Sequence, residues 1–402
     1  MLIGFTFQNF WSFYGENVFS MVASKDKEFF DFNIKKINQY ELLKSAIMFG
    51  ANASGKTSFV KAIEYMKAII GSEPSAQSKF ISGVNHFALA ENANERPTIL
   101  EVDFIYEDII YQYGFEILKG EVNKEYLYDK TKRKTTVFER SSPDFKDIKF
   151  PNSVMNNVKD FAKNTRRDNL FLHWAVWGNN EHAMRVYKWF DNIKVFKTDV
   201  TSNLLKMTAD YMKDNKDGNT KISELLQKAD PTIVAFDIND NSLQVSRYRY
   251  DENKQITKLI RFLHDGYESA GTLKIFELSR AIIEALDNGN VVFIDEIDAK
   301  LHPMLVRFLV MMFNSIHQNP NNAQLICNTH DVLLLEEDFR RDQIYFTEKD
   351  EYGVSTLYSL SDFKGVRKED KLLKRYLLDA YGATPKFTDT FSIKQKKATD
   401  NG

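Results

Sequence analysis

In the first 23 residues, apolar side chains alternate with polar ones, as in strands that bury one face. A turn predicted around residues 9–15 divides this stretch into two predicted strands. The same alternation predicts strands at residues 98–106, 109–117, 125–127 and 135–140. The two longest flank Glu107 and Asp108, which predicts a β-hairpin that turns there, whereas the polar residues 71–77 predict a loop. This part of the chain should therefore contain a β-rich lobe.

Between residues 150 and 230, apolar residues recur every three or four positions, which indicates helices. Helices are predicted at residues 155–161, 169–177, 182–190, 204–212 and 222–226, with a polar break at 214–219. Strands are predicted again at residues 233–238, 242–250 and 258–264. From Glu268 onward, helices alternate with short apolar strands, so the chain as a whole predicts an α/β fold. Residues 150–265 show no sustained heptads, so no long coiled-coil arm is expected.

The sequence GANASGKT, residues 50–57, lies between an apolar run at 45–49 and a helical pattern at 58–70. It fits G-x-x-x-x-G-K-[ST], the P-loop, in which glycines let backbone N–H groups converge on phosphate oxygens. Lys56 would supply positive charge to the β- and γ-phosphates, and the Thr57 hydroxyl would ligate Mg²⁺. A loop between a strand and a helix N-terminus is where an anion is held best. The predicted ATP-binding residues are Gly50, Asn52, Ala53, Ser54, Gly55, Lys56, Thr57 and Ser58.

Four apolar residues at 291–294 are followed by two acids, Asp295 and Glu296. A buried parallel strand that ends in a carboxylate is what a P-loop sheet needs to hold Mg²⁺ opposite the γ-phosphate. We expect Asp295 to be the second magnesium ligand beside Thr57. Glu296 is the predicted catalytic carboxylate, which would polarise the attacking water.

The next predicted strand, residues 324–330, closes with His330. A histidine there either simply ends the strand or, because this strand follows the Asp-Glu strand and one helix, lies beside the γ-phosphate as a second catalytic residue. Upstream, Ser269 and Gly271 stand at the start of an apolar helix. Such a start is either an ordinary N-cap or a phosphate-binding tip, because both use exposed amides and the positive end of the helix dipole.

Composition narrows the class of protein. The 402 residues could form two or three domains or one large domain with insertions. A net charge of −2 does not indicate a nucleic-acid or anionic-membrane partner. The one cysteine, Cys327, excludes an internal disulfide and a cysteine-based zinc site. Because no long apolar window and no basic signal-peptide region occur, we expect a cytoplasmic protein without a membrane span.

The motifs at residues 50–57, 269–272, 295–298 and 329–330 occur in the order of an ABC-type ATPase head. The opening NFWSF, residues 9–13, looks like the N-terminal "NF-x-SF" of heads related to SMC, RecF and the overcoming-lysogenization-defect (OLD) nucleases. The sequence DAKLHP, residues 298–303, is similar to the "LHP" form of OLD-like and RecF-like heads. The chain therefore resembles ABC-type ATPases of the AAA family.

This resemblance implies a P-loop NTPase head that binds ATP and Mg²⁺ and forms a homodimer or higher oligomer around the nucleotide. Ser269 and Gly271 of one subunit would form the signature loop that caps the γ-phosphate held by the other subunit. His330 would be the switch histidine. No residue could be matched to the Q-loop, and Arg166 and Arg167, which lie where that loop is expected, fit either a phosphate or partner contact or a solvated helix end.

Residues 342–350, 355–363 and 376–385 look like the C-terminal part of bacterial abortive-infection ATPases. These include the AbiLi and RloA types and the ATPase subunit of the PARIS anti-phage system. The resemblance implies a sensor or regulatory ATPase of anti-phage defence that acts with a separate effector protein, a nuclease or toxin. A phage protein or DNA would be the trigger.

We expect four parts: an N-terminal ATPase lobe with the P-loop and β-lobe (1–150), a helical insertion (151–230), a C-terminal ATPase lobe with the signature, Asp-Glu strand and switch histidine (231–350), and a C-terminal extension (351–402). One alternative function is a RecF- or SMC-like DNA-repair ATPase bound to DNA. Another is a single-chain OLD-type nuclease. The latter needs a Toprim domain of roughly a hundred residues, and only about fifty follow the ATPase core.

Overall fold

The computed structural model describes residues 1–26, 28–151, 158, 162–197, 202–239, 242–263, 268–337, 339–366 and 371–385. Most of the predicted helix at 155–161 and the last residue of the predicted strand at 258–264 lie outside the described residues.

The elements follow in chain order. The strands are β1 (Leu2–Gln8), β2 (Asn17–Ser20), β3 (Ile34–Ile37), β4 (Tyr40–Leu43), β5 (Ser45–Gly50), β6 (Thr98–Tyr106), β7 (Ile109–Leu118), β8 (Glu121–Asp129), β9 (Thr135–Arg140), β10 (Ile148–Lys149), β11 (Lys194–Phe196), β12 (Ile233–Asn239), β13 (Ser242–Tyr250), β14 (Ile256–Leu263), β15 (Val291–Ile294), β16 (Gln324–Asn328), β17 (Ile344–Lys349) and β18 (Ser355–Ser359). The α-helices are α1 (Phe30–Asn33), α2 (Lys56–Ile70), α3 (Pro74–Ser82), α4 (Phe171–Trp177), α5 (Glu181–Asn192), α6 (Ser202–Asp214), α7 (Lys216–Ala229), α8 (Ala270–Asn288), α9 (Pro303–Asn314) and α10 (Leu372–Leu377).

The central sheet has six strands in the order β11-β15-β16-β5-β17-β18. The first five are parallel, and β18 runs antiparallel to β17. Every residue of β5, β15 and β16 is buried, because apolar strands of a parallel sheet are covered on both faces. The carboxyl ends of these parallel strands meet at one edge of the sheet, which brings Gly50, Asp295 and Asn328 together.

A seven-stranded antiparallel sheet, ordered β10-β9-β8-β7-β6-β1-β2, forms the β-rich lobe. It shares a core with α2, in which Phe5 and Phe7 pack against Phe59. Glu107 and Asp108 connect β6 to β7 with φ angles of 49° and 60°. Two residues of positive φ match the twist of a tight hairpin, so the predicted turn is confirmed.

The opposite face of the central sheet is covered by α8 and α9. Helices α6 and α7 pack on α8, and the three-stranded sheet β12-β13-β14 leads the chain into that helix. The expected α/β fold, with an antiparallel β-lobe and a helical insertion, is therefore confirmed.

Two local expectations differ from the structure. The loop predicted at 71–77 is wrong from Pro74 onward, since α3 begins there with the proline at its first position and buries Gln77 and Ile81. The polar break at 214–219 is also wrong in extent. Only Asn215 separates α6 from α7, and its side chain caps α7 by accepting from the Gly218 N–H at 2.8 Å.

Two of the expected parts of the chain, the helical insertion and the C-terminal extension, take part in the central sheet. Within the helical insertion, β11 pairs in parallel with β15. The hairpin β17–β18 spans residue 350, where the C-terminal extension was expected to begin. The insertion and the extension therefore each contribute a strand to the central sheet. In the described part of the chain, no helix combines the length and apolarity that a bilayer span requires.

Candidate nucleotide-binding site

Residues 50–57 curl between β5 and the first turn of α2, as a P-loop requires. Gly55 has a φ of 123°, and a Cβ atom there would lie 2.7 Å from the Ser355 hydroxyl oxygen. Only glycine fits this conformation and this close approach. The loop is tied to the sheet on its other side, where the hydroxyls of Ser54 and Thr347 lie 2.6 Å apart.

Lys56 is folded back over the loop. Its ammonium donates to the carbonyls of Gly50 at 2.8 Å and Ala51 at 3.0 Å, and the residue is only 5% exposed. Burial lowers the pKa of Lys56 to about 8, although the nearby carboxylates of Glu296 and Asp295 oppose that shift. Its ammonium is therefore held in a desolvated position against the backbone of the loop.

Thr57 and Asp295, the two predicted magnesium ligands, are in contact. The Thr57 hydroxyl donates to the Asp295 carboxylate at 3.2 Å. Burial raises the pKa of Asp295, and hydrogen bonds from Asn328 and Thr57 oppose that rise. The hydroxyl comes from the first turn of α2, and the carboxylate follows β15. This pair fits Mg²⁺, which usually takes one or two protein ligands together with substrate phosphates. The described residues contain no cluster of three or more His, Cys, Asp or Glu side chains that would instead indicate an all-protein metal site.

Asn328, at the end of β16, was not predicted as a site residue. Its side-chain amide donates to Asp295 and accepts the Glu296 N–H at 2.6 Å, while its backbone carbonyl accepts the Ile297 N–H at 3.1 Å. Glu296 has a φ of 51°, a left-handed conformation that non-glycine residues seldom adopt. Asn328 thus fixes the turn that follows β15 through three hydrogen bonds. Its position in the sequence, directly before Thr329 and the predicted switch residue His330, could have indicated that it belongs to the site.

His330 lies just beyond β16, which ends two residues before the predicted limit of the strand. Its backbone N–H donates to both carboxylate oxygens of Asp298, at 3.2 and 3.1 Å. It lines a cleft of about 840 Å³ together with Gly50, Ala51 and Asn52 of the P-loop. The predicted switch histidine and the first half of the P-loop therefore border the same cleft.

The predicted signature residues lie elsewhere. Ser269 is the N-cap of α8, and its hydroxyl accepts the Thr272 N–H at 3.0 Å. A Cβ atom on Gly271 would lie 2.8 Å from the Lys300 carbonyl oxygen, so this helix start packs closely on the loop that follows Asp298. Neither Ser269 nor Gly271 is among the described residues that line the clefts at the chain's own P-loop.

Residues 376–385 form an unexpected wall of the site. Tyr376, Leu377, Thr384 and Pro385 face the P-loop and His330 across the larger cleft. Residues 382–384 also border a smaller cleft of about 140 Å³ beside residues 51–54. Sequence reasoning assigned this segment to an extension by resemblance, and no local pattern indicated its position at the P-loop.

Arg166 and Arg167 do not reach this site. Arg166 pairs with Asp168 at 3.1 Å and Arg167 with Glu121 at 3.4 Å. Both arginine side chains are 66% exposed. Their charges are thus paired at the protein surface, away from the residues that line the P-loop clefts, and a contact with a partner stays a prediction.

The order of the parallel strands, the P-loop between β5 and α2, and the two acids that follow β15 define a P-loop NTPase. A family profile described as "AAA domain, putative AbiEii toxin, Type IV TA system" matches residues 45–336. The chain belongs to this AAA-domain family.

Among solved structures, one titled "Crystal structure of the SmcHead bound to the C-winged helix domain of ScpA" is similar over 89% of this chain and 97% of that chain. The two share 13% sequence identity, and the TM-score is 0.40. Comparison with curated protein sequences gives no match.

Proposed function

We propose that this chain is an ATPase that hydrolyses ATP to ADP and phosphate in sites shared between two copies. The observation that carries the proposal is the convergence of Lys56, Thr57 and Asp295 at one edge of the central sheet, with Thr57 and Asp295 in direct contact. Few other functions need a desolvated lysine, a hydroxyl and a carboxylate around a curled glycine-rich loop.

Each residue has a distinct role in this proposal. The amides of residues 50–57 and the Lys56 ammonium hold the β- and γ-phosphates and stabilise the charge that develops on them. Thr57 and Asp295 would hold Mg²⁺, which neutralises phosphate charge when bound. Glu296, on a turn fixed by Asn328, orients the attacking water and takes its proton. We assign His330, which lines the cleft beside Gly50, Ala51 and Asn52, to the γ-phosphate.

The shared site is supported by the start of α8. Ser269 and Gly271 stand at a helix N-terminus, whose exposed amides and dipole attract an anion. We propose that this helix start completes the site of a second copy. Closure would then require ATP, and hydrolysis would loosen the pair.

Mixing two inactive variants tests the shared site. Lys56→Ala removes the P-loop charge, and Ser269→Arg blocks the signature loop while leaving the P-loop intact. Each alone should lose turnover. A mixture should regain partial activity, because the arginine variant supplies the P-loop and the alanine variant the signature. Full activity of Ser269→Arg alone, or no recovery in the mixture, would contradict the shared site.

For the biological role, we propose a regulatory ATPase of an abortive-infection system of the AbiLi, RloA or PARIS type. The family description, which names a toxin of a type IV toxin–antitoxin system, supports this class. The chain would act with a separate effector, and a phage protein or DNA would trigger it. Co-expression with an effector gene taken from the same genomic neighbourhood should protect cells from phage only when Lys56 is intact. Protection by a folded Lys56→Ala variant would contradict this role.

A further inference from the structure

Arg247, in β13, holds together three segments that are distant in sequence. One guanidinium nitrogen lies 2.9 and 2.8 Å from the two carboxylate oxygens of Glu268, and 2.9 Å from the Asp230 carboxylate. The other terminal nitrogen donates to the Thr232 hydroxyl. Asp230 follows α7 directly and Thr232 precedes β12, so Arg247 joins the α7–β12 corner to the residue before the signature helix.

Glu268 has little freedom to move. Its side chain is 1% exposed, whereas those of Arg247 and Asp230 are 23% and 26% exposed. A buried carboxylate is costly unless it is paired, so Glu268 stays where the guanidinium holds it. The next residue along the chain is Ser269, the N-cap of α8.

The other end of the same short loop is fixed by packing. Gly271 lies against the Lys300 carbonyl, and the Ser269 hydroxyl accepts the Thr272 N–H. In the signature loop, residues 268–272, the Lys300 contact thus constrains the end at Gly271. Arg247 holds the other end, through Glu268.

We infer that Arg247 is a positioning residue for the signature loop. It acts through Glu268 and sets where Ser269 and Gly271 are presented to the partner's nucleotide. The inference rests on the shared site proposed above. It predicts that loss of Arg247 impairs closure and turnover but leaves ATP binding to the chain's own P-loop unchanged.

The chain offers a matched control. Arg280 pairs with Glu284 at 3.0 Å on the same helix, with side chains 29% and 21% exposed, far along the helix from Ser269. Arg247→Gln and Arg280→Gln each remove one partly exposed arginine from a pair with glutamate. For Arg247→Gln we expect turnover to fall by about tenfold to a hundredfold, the range for a misplaced reactive group, with ATP affinity retained. Arg280→Gln should keep the parental turnover.

Mixtures with Lys56→Ala or with Ser269→Arg, the two variants of the shared-site test, show whether Arg247 acts through the signature loop. Arg247→Gln should recover activity with Lys56→Ala, which supplies an intact signature loop, but not with Ser269→Arg, which does not. Recovery with Ser269→Arg, or unchanged turnover of Arg247→Gln alone, would overturn the inference. Failure of the reference mixture, Lys56→Ala with Ser269→Arg, would instead refute the shared site itself.

A second variant separates positioning from stability. Arg247→Gln alone leaves the buried Glu268 carboxylate without its main partner, so the protein should melt at a lower temperature. Adding Glu268→Gln removes that buried charge and should restore the melting temperature. Turnover should stay low, because the loop is still not held. If turnover returns together with stability, Arg247 has only a structural role and the inference fails.

Discussion

The side-chain amide of Asn328 donates a hydrogen bond to the carboxylate of Asp295, at the edge of the sheet where the P-loop begins. The same amide accepts the Glu296 N–H at 2.6 Å. One side chain from β16 thus fixes both acids that follow β15. In the proposed mechanism, those acids are the magnesium ligand and the catalytic carboxylate, so Asn328 should set the geometry of both.

Asn328→Asp should therefore damage the magnesium site. The substitution removes the donor to Asp295 and places a second carboxylate against it, and two adjacent carboxylates resist joint ionisation. We expect turnover to fall and the Mg²⁺ concentration needed for half-maximal activity to change, measured by ATPase titrations with Mg²⁺.

Asn319→Asp provides the control, since Asn319 is a buried amide that bonds the backbone groups of Phe313 and Ala323. It should lower the melting temperature without altering the Mg²⁺ dependence. An unchanged Mg²⁺ dependence in folded Asn328→Asp would show that the amide does not organise the metal ligands.

The pKa of about 8 at Lys56 gives ATP binding a specific pH dependence. Above that pH the side chain loses its proton, and the phosphates, which favour the charged form, must draw a proton back on binding. Affinity should therefore fall by about tenfold for each pH unit above the pKa, with proton uptake visible by calorimetry in buffers of different ionisation enthalpy. Lys56→Arg stays charged and should lose this dependence. Equal pH profiles for the two proteins would refute the lowered pKa.

Gly271→Ala tests the close approach of the signature loop to Lys300. The added Cβ atom would meet the Lys300 carbonyl oxygen at 2.8 Å, so the start of α8 must shift. Turnover should fall while ATP binding persists. Gly15→Ala is a neutral comparison, because a Cβ atom there meets nothing within 4 Å. Parental turnover in Gly271→Ala would mean that the position of this helix start is not critical.

Much of the site could be predicted because its parts are local in sequence. The P-loop, with Gly55 and Lys56, needs only eight consecutive residues, and the run before Asp295 marks its strand. The hairpin at Glu107 and Asp108 was predictable for the same reason, since alternation and turn length suffice.

Other features depend on contacts between distant residues and left no local signal. Asn328 gains its importance only because β16 lies beside β15, which brings its amide to Asp295. The short strand β11 sits within a helical region and pairs with β15 across about a hundred residues, a non-local contact of the kind that periodicity cannot reveal. Pro74 starts a helix in a polar stretch because Gln77 and Ile81 find buried partners.

The most direct test of the shared site is the molecular mass of Glu296→Gln with and without ATP. This variant keeps Asp295 and the P-loop but cannot activate water, so ATP should bind and remain intact. With Mg²⁺ and ATP, light scattering should give a mass of about twice the chain's 46.7 kDa, with two nucleotides per pair. With ADP, or in the double variant that carries Ser269→Arg in the same chain, the mass should return to its nucleotide-free value. A Glu296→Gln protein that binds ATP and shows no change in mass would contradict the account.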